Sequence, residues 1–412
     1  MKDLKWFYKK FGVAFVILLL VVVLVCIVYD RQNNSDDQTE EILFETEQWE
    51  KGYDLPIDQD KKETAEKECL EVMEMIKDVY KNADKGSSLN IVLSDEILEQ
   101  MQDVVGACGY TVMTSDPYAA MTGYKKMDRF LNNCMNQKQG SVILYTILNS
   151  GEITRKEYHF DGSDMYLLTV GAGWGSSDDP IVSYISYARI DVWNYTERGW
   201  FGYELCVPEP PEVSEIIDGK ESFRVVPLSE RCRKLSKTCA ASLGYRGNNI
   251  LRSNWNIEDI GQVDYNGVFE FFYEMKYGKR FDFDEYDGGI PSDVFEGVIM
   301  EYLPVTSEQI QKWAAFDEET NTYGWVSLGY KNFSHAYFET AIPEVVDVKE
   351  KEDGSFILTV EAVSQQEIPN SVLLRHELKL RFEDDGSFQY LGNEIVDEGV
   401  QKIPEYEYRK VN

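Results

Sequence analysis

An uncharged run near the start of the chain limits its fold more than any other feature. From Phe11 to Tyr29 the sequence reads FGVAFVILLLVVVLVCIVY, 19 residues without a charge, and a helix that spans the hydrocarbon core of a bilayer needs about 20 apolar residues. Lys2, Lys5, Lys9 and Lys10 precede the run against a single acid, Asp3, whereas Asp30 to Glu63 holds twelve acids and four bases. This asymmetry predicts a single-pass cell-membrane protein with residues 1–10 as a cytoplasmic tail, 11–29 as a transmembrane helix and an extracytoplasmic C-terminal domain. The following IVYDRQNNSD has no small-x-small site, so a retained anchor is expected rather than a cleaved signal peptide. Leu24 and Val25 precede Cys26 where a lipidation site wants small residues, and the run is apolar all round, unlike an amphipathic core helix.

The remainder is acidic but has the makings of a core. Of 412 residues, 41 are Lys or Arg and 73 Asp or Glu, a formal charge of −32, while 43 % are hydrophobic and 13 % aromatic. Such a balance excludes wholesale disorder. It also repels phosphate backbones, so no nucleic-acid partner is expected. Residues 30–63 read as an acidic stalk kept extended by like charge.

Periodicity divides the rest into two cycles of helices followed by strands, an α+β chain. In the first, residues 64–226, a helix is predicted over Thr64–Lys81 from Ala65, Cys69, Val72, Met73, Ile76, Val79 and Tyr80. A second is capped by Ser94, and a third opens at Ser115 with Pro117 and reaches Asn136. After Gly140 come SVILYTILN, EITRKEYHF, MYLLTV, YISYARIDVWNY and WFGYELCV, with the meander ending at Pro208, Pro210 and Pro211. In the second, residues 227–412, helices are predicted over Leu228–Leu243, Asp264–Tyr277, Pro291–Tyr302 and Ser307–Phe316. The strands EVVDVK, SFILTVEAV, VLLRHELKLRF and SFQYLGNEIV follow, with Asp353-Gly354 and Asp385-Gly386 as turns. By analogy, two such lobes suit a cystatin-like or nuclear-transport-factor-like architecture.

The C-terminal block carries Ile290-Pro291, Phe295-Glu296, Tyr302-Leu303-Pro304-Val305, Gln309 and Trp313. Beyond them come Val345-Val346-Asp347-Val348, Leu358-Thr359-Val360, His376-Glu377-Leu378 and Gly386-Ser387-Phe388-Gln389-Tyr390. In these it resembles an uncharacterised family of membrane-anchored proteins from anaerobic Gram-positive bacteria. The resemblance is strongest over the last third. It implies location and fold and carries over no catalytic residue.

Motifs that would fix a reaction are missing. Six cysteines, Cys69, Cys108, Cys134, Cys206, Cys232 and Cys239, allow disulfides but contain no C-x-x-C pair. His159, His335 and His376 are isolated, with His159 and His376 expected half-buried on strands. Gly171-Ala172-Gly173-Trp174-Gly175-Ser176-Ser177 lacks a P-loop lysine and reads as a mobile loop. Asp282, Asp284, Glu285 and Asp287 form an oxygen-rich cluster of the kind calcium prefers. However, Tyr286 stands where an EF-hand needs its third carboxylate, so a solvated loop and no cofactor are expected. Tyr187, Trp193 and Tyr195 share parity on one strand, which predicts either core packing or a row of rings for stacking on a ligand. The function these features support is a non-catalytic binding or interaction module of the cell envelope, with a glycan, a peptide or another envelope protein as partner. The alternative is an extracytoplasmic hydrolase using a carboxylate pair.

Overall fold

A computed structural model describes residues 48–86, 90–286, 288–325, 328, 336–368, 371–396 and 403–409. The expected cytoplasmic tail 1–10, the apolar run 11–29 and residues 30–47 of the expected stalk lie outside these, as do Asp287 and His335. Among the described residues no helix is long and apolar enough to cross a membrane. The fold is α+β.

Helix α1 (Gln59–Asn82) covers the predicted Thr64–Lys81 but starts five residues earlier, within the expected stalk, and Ala65, Cys69, Val72, Met73, Ile76 and Tyr80 are its buried stripe. Asp58 caps it, accepting from the backbone N–H groups of Asp60 at 3.0 Å and Lys61 at 3.2 Å. Helices α2 (Asp95–Ala107) and α3 (Tyr124–Met135) follow. These surround a seven-stranded sheet in sequential order, β1 (Val112–Thr114), β2 (Gly140–Ile147), β3 (Ile153–Phe160), β4 (Met165–Trp174), β5 (Pro180–Tyr195), β6 (Trp200–Leu205) and β7 (Lys220–Arg224). All pairs are antiparallel except β1 with β2. Tyr145, Ile147, Leu168 and Val170 pack with α1 and α2 on one face, whereas Leu144, Tyr158, Phe160 and Leu167 pack with α3 on the other.

Four expectations in this half are corrected. The third helix starts at Tyr124, not Ser115, because residues 114–118 are held in a turn: Thr114 accepts from the Asp116 N–H at 3.3 Å and Asp116 from the Tyr118 N–H at 2.9 Å. The sheet does not end at the prolines, since β7 returns after them and pairs with β6. The glycine-rich run is mostly strand. Gly171 lies opposite Tyr184, whose ring comes within 2.1 Å of where a Cβ would sit, and Trp174 stacks on Tyr80 at 4.2 Å. Finally, the described end of the stalk is docked rather than extended: Leu55 donates to the Tyr187 carbonyl, Arg189 donates to that of Gly52, and Trp49 meets Tyr166 edge-on at 5.8 Å.

The second half builds a five-stranded antiparallel sheet from β12 (Ile342–Glu350), β13 (Ser355–Val363), β14 (Val372–Phe382) and β15 (Phe388–Val396), with β8 (Trp255–Asn256) added beside β15. The helices are α4 (Glu230–Leu235), which runs on as a π-turn over Ser236–Ala241, α5 (Tyr265–Tyr277), α6 (Ser292–Tyr302), α7 (Ser307–Trp313) and α8 (Ala336–Glu339). Thr306 and Gln309 form a reciprocal capping box on α7. A small sheet of β9 (Ile290–Pro291), β10 (Phe316–Asp317) and β11 (Thr322–Tyr323) packs beside α6. Phe295 stacks on Phe269 at 4.5 Å and on Tyr323 at 4.1 Å.

The two sheets meet through side chains at strand edges. Arg224 of β7 donates to both carboxylate oxygens of buried Glu344 on β12, and the Trp200 indole donates to the same carboxylate at 3.1 Å. Arg198 pairs with Glu361 at 3.2 Å, and Trp200, Ile342 and Val363 form a buried cluster between the sheets. These charged and bulky contacts cover the edge strand β7, which would otherwise offer unpaired backbone groups.

Candidate functional site

The three ring residues do not share a face. Along β5 the register jumps from Ile190 opposite Leu205 to Val192 opposite Glu204, leaving Asp191 as a bulge. An extra residue inverts side-chain parity, so equal parity before and after it means opposite faces. Tyr187 lies on the α1 and α2 face, with Trp49 at 6.3 Å and the Lys61 ammonium 4.9 Å from its ring centroid. Trp193 and Tyr195 lie on the α3 face. Trp193 meets Phe160 edge-on at 6.1 Å. The buried Tyr195 hydroxyl donates to Asp128 of α3 at 2.6 Å, and burial together with that carboxylate raises its pKa.

The acidic loop is taken up locally. Asp282 accepts from the Asp284 N–H at 3.0 Å and Glu285 pairs with Lys279 at 3.4 Å, while Asp287 is outside the described residues. Among the described residues no three His, Cys, Asp or Glu side chains are grouped to hold a metal ion. The six cysteines are free thiols. His159 is exposed rather than half-buried. His376 is fully buried between the Tyr245 hydroxyl at 3.0 Å and Asn393 Oδ1 at 2.6 Å; burial pulls its pKa down to about 4 against the opposing Asn393 hydrogen bond.

The residues that do converge belong to no motif. The seven-stranded sheet curls, so that β3 and β7 face each other across its α3 side and the Lys156 ammonium bonds the Glu221 carboxylate. Glu221 also accepts from the Tyr203 hydroxyl. α3 covers the apolar part of this face, through Leu144, Tyr158 and Phe160. Thr146, Thr154 and Lys156 continue the same parity beyond it, with Thr146 directly opposite Thr154. Over them lies a cavity of about 230 Å³, lined also by the 113–119 turn, by Trp200, Phe223 and Arg224, and by Gln365 from the second half. A wider vestibule of about 500 Å³ shares Glu221, Ser222 and Gln365 and adds Asp218, Lys220 and Gln366.

The polar groups of the cavity differ in one respect. Ser222 donates to the Gln365 carbonyl at 3.2 Å, Thr114 accepts from Asp116, and the Asp116 carboxylate holds Lys237 at 2.6 Å. Thr146 Oγ1 is buried and has no hydrogen-bond partner among the described residues. A buried hydroxyl left unmatched costs about 1–3 kcal/mol, and this one has no surface open to the cavity, so Thr146 lines the wall through its other atoms. A groove of about 450 Å³ on the second sheet is also lined by engaged polar groups. There Asn393 bonds His376 and the Ser253 carbonyl, Asn254 accepts from the Ile395 N–H, and the Trp255 indole donates to the Ile250 carbonyl.

Reasoning from the sequence missed Lys156, Glu221 and Thr146. One signal was available: Lys156 shares strand parity with Tyr158 and Phe160, and Glu221 with Phe223, so each places a charge on an inward face. Carboxyl groups whose pKa is clearly displaced, such as Glu296 beneath Tyr323 and Asp353 beside Ser355, are lowered, and neither lines the cavity.

The model of one family, described as a family of unknown function (DUF6070), matches residues 62–409. No curated protein and no solved structure matches the chain.

Proposed function

The chain belongs to the DUF6070 family of unknown function, and from that premise we propose that it is a membrane-anchored, extracytoplasmic binding module of the cell envelope whose curled sheet takes a small polar ligand. Its two α+β lobes, 64–226 and 227–412, resemble cystatin-like or nuclear-transport-factor-like units, and the ligand sits where they meet. The observation that carries the reading is the cavity of about 230 Å³ that Thr146, Thr154, Lys156, Glu221 and Gln365 line where the two sheets meet. Non-catalytic binding is favoured over hydrolysis because Asp116 and Glu221, the carboxylates on that wall, are engaged by Lys237 and Lys156. An acid–base pair acting on a glycosidic bond needs its carboxyl groups free to reach the substrate. Anchoring is supported by the uncharged run 11–29 and its flanking charges.

Two experiments test the reading. Full-length protein in detergent is screened by thermal shift against neutral sugars, free amino acids and small organic acids. At least one class is expected to raise Tm, and Ala119→Phe, which fills the cavity, to abolish the shift. No shift with any class, or an equal shift in the variant, overturns the binding reading. For location, the protein is expected to stay with membranes at alkaline pH and to be digested by protease added outside intact cells. Recovery in the soluble fraction overturns the anchor.

A further inference from the structure

We propose that the outer face of α3 docks the domain flat on the phosphate headgroups of an anionic lipid surface, that of the bilayer holding the chain's own apolar run. This rests on the anchored reading and adds which face the domain turns to the membrane. The first argument is charge. From Pro117 to Gly151 there are four bases, Lys125, Lys126, Arg129 and Lys138, against one acid, Asp128, in a chain where acids otherwise outnumber bases nearly two to one. All four bases are exposed, and among the described residues none of them forms an ion pair. Asp128 is taken by the Tyr195 hydroxyl at 2.6 Å and by the Asn132 amide at 2.9 Å. The face is a positive island on a chain of formal charge −32.

The second argument is shape. α3 buries Met127, Phe130, Leu131 and Cys134 and turns Lys125, Arg129, Asn132 and Asn136 to solvent in one stripe, because residues three and four apart share a helix face. At 1.5 Å per residue its 12 residues make a strip about 18 Å long. At the start of the strip Lys126 donates to the Gly109 carbonyl at 2.7 Å. At its end Met135 is 57 % exposed, an apolar side chain placed to enter a headgroup layer beside the bases.

The tether selects the occupant. Gln139, just past α3, donates to the Asp161 carbonyl, which places the end of the helix on the hairpin between β3 and β4. Trp49, near the start of the described chain, packs on Tyr166 in the same hairpin. The chain therefore arrives at one end of α3, with only the 18 residues 30–47 between it and the apolar run. A tether that short holds the bilayer at a millimolar effective concentration, an advantage that a soluble polyanion lacks. A second copy would bring the same charge of −32. Acids elsewhere on the domain offer little opposition, because charges more than about 8 Å from the surface are screened at physiological ionic strength. Each Lys or Arg held at an anionic surface then strengthens docking about fivefold.

The test uses full-length protein reconstituted into vesicles and labelled with a fluorophore at Cys108, the exposed thiol beside Gly109 at the end of α3 away from the chain's arrival. Contact quenching by spin-labelled headgroups is expected in vesicles that contain phosphatidylglycerol. It should fall at least about fivefold in pure phosphatidylcholine, at high salt, and in the variant combining Lys125→Glu, Arg129→Glu and Lys138→Glu. That variant should melt with the wild type, since all three side chains are exposed. Lys125→Arg with Arg129→Lys and Lys138→Arg should keep the quenching, and Lys349→Glu with Lys351→Glu, exposed at the β12–β13 hairpin, should leave it unchanged. Equal quenching in neutral vesicles, or quenching that the charge reversal leaves intact, overturns the proposal. So does displacement by inorganic phosphate at constant ionic strength, which would assign the face to free phosphate. Self-association that the reversal abolishes, with no quenching, would make a second copy the occupant and also overturn it. Insertion without quenching removes the docking and leaves the anchor standing. If the protein does not insert, the anchored reading fails, and flotation with added phosphatidylglycerol vesicles decides the face alone: flotation lost on charge reversal upholds it, and no flotation overturns it.

Discussion

Lys156 and Glu221, 65 positions apart in sequence, form an ion pair across the concave side of a sheet in which their strands are separated by β4, β5 and β6. The pair joins the middle of the sheet to its edge strand and forms one wall of the cavity. It sits among Tyr158 and Tyr203, whose hydroxyls are 3.5 Å apart and whose pKa values burial raises well above the ordinary phenol range.

Removing one member of this pair should cost more than removing both. The Lys156 side chain is 11 % exposed and that of Glu221 34 %, so water partly screens the acid, and a single truncation is expected to destabilise by about 2–3 kcal/mol, the low end for a buried pair. Lys156→Met with Glu221→Leu should cost less than either single. Urea unfolding of all four proteins gives the coupling, and strictly additive losses would show that the pair contributes nothing.

Glu344 is expected to matter more, because it is 1 % exposed and satisfies both Arg224 and the Trp200 indole across the junction of the sheets. Glu344→Ala should destabilise by about 3–5 kcal/mol by stranding Arg224. It should also split the calorimetric transition as the halves lose their coupling. A single transition shifted by less than about 1 kcal/mol would contradict this role.

Acid sensitivity follows from His376. Its pKa is about 4 when folded against an ordinary 6.5, so the unfolded chain binds the extra proton between those values. The contribution, about 3 kcal/mol, is fully present above pH 6.5 and is lost as pH falls from 6.5 to 4. His376→Gln should flatten the stability profile in that window. A wild-type slope retained in the variant would assign the effect to other groups.

Thiol reactivity should divide the cysteines sharply. Burial pushes Cys69 and Cys134 up to about 11 and Cys239 to about 12, which leaves almost no thiolate at pH 8, whereas Cys108 is exposed. Iodoacetamide followed by peptide mass mapping should label Cys108 first and the other three only after unfolding. Early labelling of Cys239 would contradict its place in the core.

Local structure was legible wherever neighbours in sequence decide it. The buried stripe of α1, the Thr306 cap of α7 and the turns at Gly162, Gly199, Gly354 and Gly386, all at positive φ, follow from side-chain spacing and from residues that tolerate the left-handed region, whereas the cap at Asp58 fell inside the expected stalk. Less legible was anything set by pairing. Asp116 satisfied its own turn and delayed α3, and Asp191 bulged and sent Trp193 and Tyr195 to the face opposite Tyr187.

By itself the sequence determined the acidic α+β character, the strong candidate for a membrane anchor and most helices and hairpins, because periodicity and turn chemistry act over a few residues. Only the tertiary structure decided which polar side chains would meet. Thr146, Lys156, Glu221 and Gln365 come from four separate segments, and the curl of the sheet and the docking of its edge on the second sheet bring them together. Such curvature arises from strand register and long-range packing summed over the whole sheet, and no short stretch of sequence carries it.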